Sequence, residues 1–356
     1  MTTPRFADVH RILIRSANWV GDAIMSTPAL HSVRRNFPNA RITLLAKPWV
    51  VPVFKNNPDI DEVMVYATDA RHAGLPGLWT LAGDIRKRRF DLAILLQNAF
   101  EAALLSFLAG IPQRMGFTTD GRTALLTERI RTWRPLKQGH LIDYYLGLLA
   151  GAGLALHGRR LALHISADER TSTRLLLDSL GLGGSRTLVG LNPGATYGTA
   201  KRWLPDRFAE LGRRLVREVD ARIIIFGSAG EAPIGQRIAG EIGAGAVNMC
   251  GRTPLREAMC LIGQCHLFVT NDSGLMHVAA ALEVPQAAII GPTDPVATGP
   301  VNRASCLVQV PDACPLSPCL EPDCPIIDHR CMTAISVDMV MTQALALLKI
   351  SRERSA

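Results

Sequence analysis

Two periodicities take turns along this chain. Short runs of β-branched and aliphatic residues, at 11–15, 41–45, 62–66 and 90–97, read as buried strands, and between them lie stretches whose apolar positions recur with a helical period. After Gly181-Leu182-Gly183-Gly184 the alternation starts again. Strands are predicted at 187–191, 222–226, 267–270 and 287–290, with helices near 205–218, 231–242, 254–263 and 273–282. Alternating strand and helix implies parallel sheets, because a parallel pair needs a crossover long enough to hold a helix.

Two such series predict an α/β protein of two Rossmann-like, doubly wound domains, residues 1–180 and 181–335, facing a central cleft bordered by the carboxyl ends of the strands. A last helix at 336–349, within a tail of residues 336–356, either completes the second domain or crosses back to brace the first. The 356 residues exceed what one core usually supports. With 48% hydrophobic and 20% charged residues, and 30 Gly and 22 Pro between the apolar runs, the composition excludes a disordered or fibrous chain.

Arg5, Asp8, His10 and Arg11 interrupt the first stretch, which lacks the order of a signal peptide. The longest apolar stretches, 93–110 and 146–156, are broken by Gln97, Asn98 and Glu101 or are too short to cross a bilayer. The expectation is a cytoplasmic protein. Its formal charge of +8 permits nucleic acid, an anionic membrane or an anionic substrate as partner. Cations gather in the first half, at Arg86-Lys87-Arg88-Arg89 and at Arg114, Arg122, Arg129, Arg131, Arg134 and Lys137. Aromatic residues, at 5%, are not interleaved with them, so no stacking platform for a nucleic-acid strand is visible.

The Gly-rich dinucleotide fingerprint and the P-loop are both missing, which leaves phosphate binding to helix starts. The densest signal is Phe268-Val269-Thr270-Asn271-Asp272-Ser273-Gly274-Leu275-Met276-His277, a strand turning straight into an apolar helix. There Ser273 and Gly274 leave first-turn amides open to phosphate, unless Asp272 and Ser273 merely cap the helix. His277, one turn in, reads more readily as a packed histidine than as an acid or base. Asn192-Pro193-Gly194-Ala195-Thr196, followed by Lys201-Arg202, suits a diphosphate: Thr196 can donate to an oxygen and Lys201 can neutralise charge on a leaving nucleotide. A surface loop with solvated cations is the plain alternative. Asp22, at a strand-to-helix turn, is placed either to take a proton from a substrate hydroxyl or to cap its helix. Glu231 follows another strand, where a carboxylate can bridge ribose hydroxyls or simply favour the helix dipole.

Five of the eight cysteines lie between 306 and 331, four of them as Cys314-x4-Cys319-x4-Cys324-x6-Cys331. Four thiolates would satisfy a structural zinc ion, and reduced buried thiols are the alternative.

Taken in order, Asn18-Trp19-Val20-Gly21-Asp22 with Met25 and Pro28, Asn192-Pro193-Gly194-Ala195 with Lys201-Arg202-Trp203, Phe226-Gly227-Ser228, and Asn271-Asp272-Ser273-Gly274-Leu275-Met276-His277 resemble the ADP-heptose:lipopolysaccharide heptosyltransferases of glycosyltransferase family 9. The Cys-rich tail is similar too. The resemblance implies a GT-B fold, with acceptor on the first domain and ADP-L-glycero-D-manno-heptose on the second, and an inverting transfer that requires no metal or other cofactor. Asp22 matches the family's proposed base, and would deprotonate a hydroxyl of the first heptose on the inner core. Lys201 would stabilise the departing ADP. Thr196, Asp272, Ser273, Gly274 and His277 match positions that hold the diphosphate and ribose, and Glu231 is a looser match to the ribose-binding glutamate. Tyr197 departs from the pattern where some members carry a second hydroxyl contact to phosphate.

The implied acceptor is heptosyl-Kdo-lipid A, met by Asn18, Gly21, Arg114 and Arg122, and the implied enzyme is a monomer in peripheral contact with the cytoplasmic face of the inner membrane. Addition of the first heptose, or of another core sugar, stays open, as does a UDP-sugar donor. A non-catalytic nucleotide-sugar or nucleic-acid binder would need neither Asp22 nor Lys201.

Overall fold

The computed structural model describes residues 6, 8–133, 136, 138–184, 187–326 and 328–355. It divides into two compact units, residues 1–164 and 165–356. Arg134 and Lys137 of the basic group lie outside the described residues.

The first unit carries a parallel sheet of β1 (Arg11–Arg15), β2 (Arg41–Ala46), β3 (Glu62–Val65), β4 (Leu92–Leu95), β5 (Gln113–Phe117) and β6 (Glu128–Ile130), in the order β3-β2-β1-β4-β5-β6. The second carries β7 (Thr187–Asn192), β8 (Ala221–Ile225), β9 (Ala246–Asn248), β10 (Leu267–Asn271), β11 (Gln286–Ile289) and β12 (Ser305–Val308), in the order β12-β11-β10-β7-β8-β9. Counted from its own first strand, the second sheet has the same winding as the first. In each the chain starts in the middle and fills one side before the other, so the order reverses between β1 and β4 and again between β7 and β10. Side chains at the carboxyl ends of those pairs border a crevice where doubly wound folds bind ligands.

Burial on both faces explains the central strands. Ile12, Leu13 and Ile14 in β1, and Val189 and Leu191 in β7, are essentially inaccessible, which is why these segments are apolar throughout rather than alternating. The helix Pro205–Val219 shows the complementary pattern: Phe208, Ala209, Leu211 and Leu215 face the core, Pro205 starts it, and Asp220 ends it in the left-handed region at φ 50°. Four strands were not expected from the sequence, namely β5, β6, β9 and β12. β6, β9 and β12 are edge strands of three or four residues, and in β5, β6 and β9 polar residues such as Gln113, Arg114, Glu128 and Asn248 break any apolar run.

The boundary between units falls sixteen residues before the Gly-rich segment. The reason is the helix Ala167–Ser179, which the Ser166–Glu169 capping box starts and which belongs to the second unit. Arg256, in the helix Leu255–Ile262, donates from Nε to Glu169 Oε1 at 2.9 Å and from Nη2 to Oε2 at 2.8 Å, a bidentate pair that binds the two helices together. The terminal helix Val337–Ser355 resolves the other open question: Val340, Met341, Ala344, Leu347 and Leu348 are part of the second unit's core. Among the described residues no helix is long and apolar enough to cross a membrane.

Candidate active site

In the second unit the residues singled out from sequence gather at the switch point. β7 and β10 lie side by side with Asn192 opposite Thr270, and each ends in an asparagine that reaches into its neighbour's loop. Asn192 Nδ2 donates to Thr270 Oγ1 at 2.9 Å and to Ser273 Oγ at 2.7 Å. Asn271, fully buried, donates from Nδ2 to the Pro193 carbonyl at 2.8 Å and accepts at Oδ1 from the Trp203 amide at 3.1 Å. The loop 193–203 is therefore pinned at both ends by the strand that leads into the helix Gly274–Ala281.

That crossing decides what Ser273 does. Ser273 is the residue before the helix, extended at φ −154° and ψ 171°, yet its side chain makes no capping hydrogen bond, because Asn192 holds its hydroxyl. Asp272 does not serve as the cap residue either. Its Oδ2 accepts from Lys201 Nζ at 2.8 Å, in a pair whose side chains are only 7% and 17% exposed. Side-chain capping by Ser273 is thus set aside, and the positive end of the helix dipole lies beside the ammonium of Lys201. Tyr197 is exposed, and the Lys201 ammonium sits 5.3 Å from its ring centroid, so this tyrosine offers the cation an aromatic face. Thr196 is exposed on the same loop, and His277 is buried on the helix, as a packed histidine would be.

Glu231 joins this group from β8. Its Oε2 accepts from the Ser228 amide at 2.7 Å and hydroxyl at 2.8 Å, the capping box of the turn Ala229–Glu231. Its Oε1 faces Gly194 and stands 3.8 Å from Arg202 Nη2. A Cβ at residue 194 would come within 2.0 Å of that oxygen, so any larger residue there would displace the carboxylate from its present position. One oxygen of Glu231 thus serves the fold and the other borders the Pro193–Thr196 loop.

The first unit presents a separate constellation at the end of β1. Asp22 is the third residue of the helix Val20–Met25; Trp19 is the residue before the helix, which removes the reading of Asp22 as the cap residue. Burial, with the Asp22 carboxylate nearby, pushes the Tyr145 hydroxyl well above its usual range. Asn18 is held rather than free: its Oδ1 accepts from Arg15 Nη2 at 2.8 Å, and its carbonyl accepts from Trp49 Nε1 at 2.7 Å. Gly21 is buried in the first helical turn.

Two residues expected to meet an acidic acceptor are engaged elsewhere. Arg122 is completely buried and donates to the Phe117 carbonyl at 2.9 Å, the Gln97 carbonyl at 2.5 Å and Asn98 Oδ1 at 2.8 Å, tying β5 to the end of β4. Burial lowers its pKa, so the cation is held by these oxygens and does not face solvent. Arg114 donates to the carbonyls of Leu125, Ile111 and Pro112 and ties the segment leading into β5 to the turn that follows it. Arg86 and Arg88 are likewise committed, to the Leu108 carbonyl and to Glu62. A count of cations along the chain does not reveal which ones a fold has consumed.

A cluster that sequence reading missed stands beside Asn18. Arg15, 1% exposed, has its pKa lowered to about 10 by burial, an effect that Glu101 and Tyr66 oppose. Lys47 donates to Thr68 Oγ1 at 2.9 Å and lies 3.8 Å from the Tyr66 ring centroid. These groups sit where β1, β2 and β3 end, next to an open cavity of about 300 Å³ lined by Tyr66, Thr68, His72, Leu75, Leu78 and Glu101. The available signal was positional: polar residues at or just beyond the ends of predicted parallel strands.

Cys314, Cys319, Cys324 and Cys331 line one small cavity together with Ala200. Burial first, and then the other three sulfurs, push the Cys331 thiol up to about 11. As placed, no group of three or more His, Cys, Asp or Glu among the described residues could hold a metal ion.

A family model described as glycosyltransferase family 9 (heptosyltransferase) matches residues 78–326. The chain is 32% identical over 315 residues to lipopolysaccharide heptosyltransferase 2 of Salmonella typhimurium, covering 84% of this chain and 88% of that protein. It is 31% identical over 311 residues to lipopolysaccharide heptosyltransferase 2 of Escherichia coli K12, with the same two coverages. Among solved structures, the ADP-heptose LPS heptosyltransferase II of E. coli superposes with a TM-score of 0.81 at 29% identity, over 96% of this chain and 99% of that one.

Proposed function

The chain belongs to glycosyltransferase family 9, the heptosyltransferase family, and on that footing we propose that it moves L-glycero-D-manno-heptose from ADP-heptose onto the first heptose of a Kdo-lipid A inner core. The observation that carries the reading is the second unit's switch point, where the Lys201–Asp272 pair stands at the helix start at Gly274 and Thr196 is exposed on the loop that carries Lys201. A helix start not capped by the side chain of Ser273, with a cation beside it, suits the diphosphate of a nucleotide sugar. Glu231, with Oε1 turned toward the loop, suits a ribose hydroxyl, and Ser273 and Gly274 offer main-chain amides. His277 supports the helix from within.

In the proposed reaction Asp22 takes the proton from the acceptor hydroxyl as that oxygen bonds to the anomeric carbon. The bond from that carbon to the ADP oxygen breaks with inversion, and Lys201 stabilises the charge that ADP carries away. Asn18 and Gly21 shape the acceptor side around Asp22. The chemistry needs no metal, since proton removal and charge neutralisation are both supplied by side chains. The protein works as a cytoplasmic monomer in peripheral contact with the inner membrane, where the lipid A portion of the acceptor is anchored.

The deciding experiment is incubation with ADP-heptose and Kdo-lipid A acceptors carrying zero or one heptose, followed by mass analysis. The expected outcome is gain of one heptose on the one-heptose acceptor, with EDTA present or absent. Transfer to the heptose-free acceptor alone would assign the first-heptose reaction instead, and no transfer to either would remove the reading.

A further inference from the structure

Residues 309–329, between β12 and the short helix Arg330–Thr333, form no strand or helix among the described residues, and the proposed reaction gives them no task. They are anchored at the end of β11, where Leu320 N donates to the Pro292 carbonyl at 3.0 Å and Ser317 Oγ to the Gly291 carbonyl at 2.8 Å. Met332, just beyond them, is fully buried in the second core. Between these anchors the segment meets the turn that carries Lys201. The Ala200 amide donates to the Pro322 carbonyl at 2.9 Å, and Thr199 Oγ1 donates to Asp323 Oδ1 at 2.7 Å. Gly198 runs so close beneath that a Cβ there would come within 2.0 Å of the Pro322 oxygen. Ala200 also packs into the cavity of the four cysteines.

We propose that Pro322 and Asp323 act as a strap that positions Lys201. This rests on the assignment of Lys201 to the leaving group. A lysine has four rotatable side-chain bonds, so an ammonium that must meet developing charge needs its backbone fixed as well as its tip. Asp272 holds the tip; the strap holds the turn Thr199–Lys201 from which the side chain departs. Thr199 and Asp323 are both exposed, so the hydrogen bond between them lies where water competes and contributes little to the fold itself. Asp323 is a positioning residue, acting through Lys201 without touching substrate.

The test is steady-state kinetics on the full chain with ADP-heptose and the one-heptose acceptor, alongside thermal unfolding. Asp323→Ala and Thr199→Val are each expected to lower kcat by about tenfold, in line with the cost of a misplaced catalytic group. The double variant should lose no more than either single one, and Asp323→Asn, which keeps the Oδ1 acceptor, should return most of the rate. In a Lys201→Ala background, Asp323→Ala should have no further effect. Unchanged kinetics in Asp323→Ala, with Lys201→Ala strongly impaired, would overturn the strap and leave the role of Lys201 standing. Unchanged kinetics in Lys201→Ala would instead overturn that role, and the strap with it. A rate loss matched by a fall in Tm, and not relieved in Asp323→Asn, would also overturn the proposal, in favour of a purely structural contact.

Discussion

Lys201 Nζ and Asp272 Oδ2 are 2.8 Å apart across the mouth of the β7–β10 pair, joining a loop and a helix start that are 71 residues apart in sequence. A carboxylate beside the positive end of a helix would by itself repel a diphosphate, and its pairing with a lysine offsets that repulsion. Lys201→Ala leaves Asp272 buried without its cation. We expect a loss of roughly 1–3 kcal/mol in stability together with weaker ADP binding and a lower kcat. Lys201→Met with Asp272→Asn should recover the stability but not the rate, which thermal unfolding and initial rates would separate. Kinetics unchanged by Lys201→Ala would mean that the pair only braces the loop.

Asp22 stands in the other unit, in the first turn of its helix, and has no part in the ADP side of the proposed reaction. Asp22→Ala should lower kcat by about two or more orders of magnitude, while calorimetric ADP affinity stays within about twofold. A kcat close to that of the unaltered protein would exclude it as the base.

The crossed asparagines predict a different kind of loss. Asn271→Ala orphans the Pro193 carbonyl and the Trp203 amide in a fully buried place, and should cost roughly 1–3 kcal/mol. The freed loop should also bind ADP more weakly. Equal stability of the variant by chemical denaturation would show that other groups hold the loop.

Gly194 and Glu231 are mutually dependent. Gly194→Ala forces a methyl group onto Glu231 Oε1, and overpacking of this kind costs about 1–3 kcal/mol. Adding Glu231→Ala removes the clash but also the cap on Ser228, so the double variant should be no less stable than Glu231→Ala alone, with the KM for ADP-heptose raised in both. If the single Gly194→Ala variant has an unchanged Tm, the carboxylate has room to withdraw and the constraint is absent.

The legibility of this protein in its sequence varied with the range of the interaction involved. Strands β1, β2, β7, β8, β10 and β11 and the helix Pro205–Val219 were readable because sheets covered on both faces leave apolar runs and amphipathic helices leave periodic patterns, over four to fifteen residues. Short outer strands such as β6 and β9, of three residues each, leave none. The motif around Asn271–Gly274 was recognisable as a strand running into a helix, and its residues do sit at a switch point. What Ser273 does there was not, since its hydroxyl is claimed by Asn192 from 81 residues away.

By itself the sequence determined the α/β class, the two wound series and the positions of the polar residues that follow strands, since these depend on local spacing. Only the tertiary structure decided which of those residues are committed to the fold. Arg122 is consumed by buried oxygens, Glu231 is divided between a cap and the loop, and the helix Ala167–Ser179 is drawn into the second unit by Arg256. The physical reason is that burial and hydrogen-bond partners are set by chain segments distant in sequence, and a buried polar group takes whichever partner the packing brings to it.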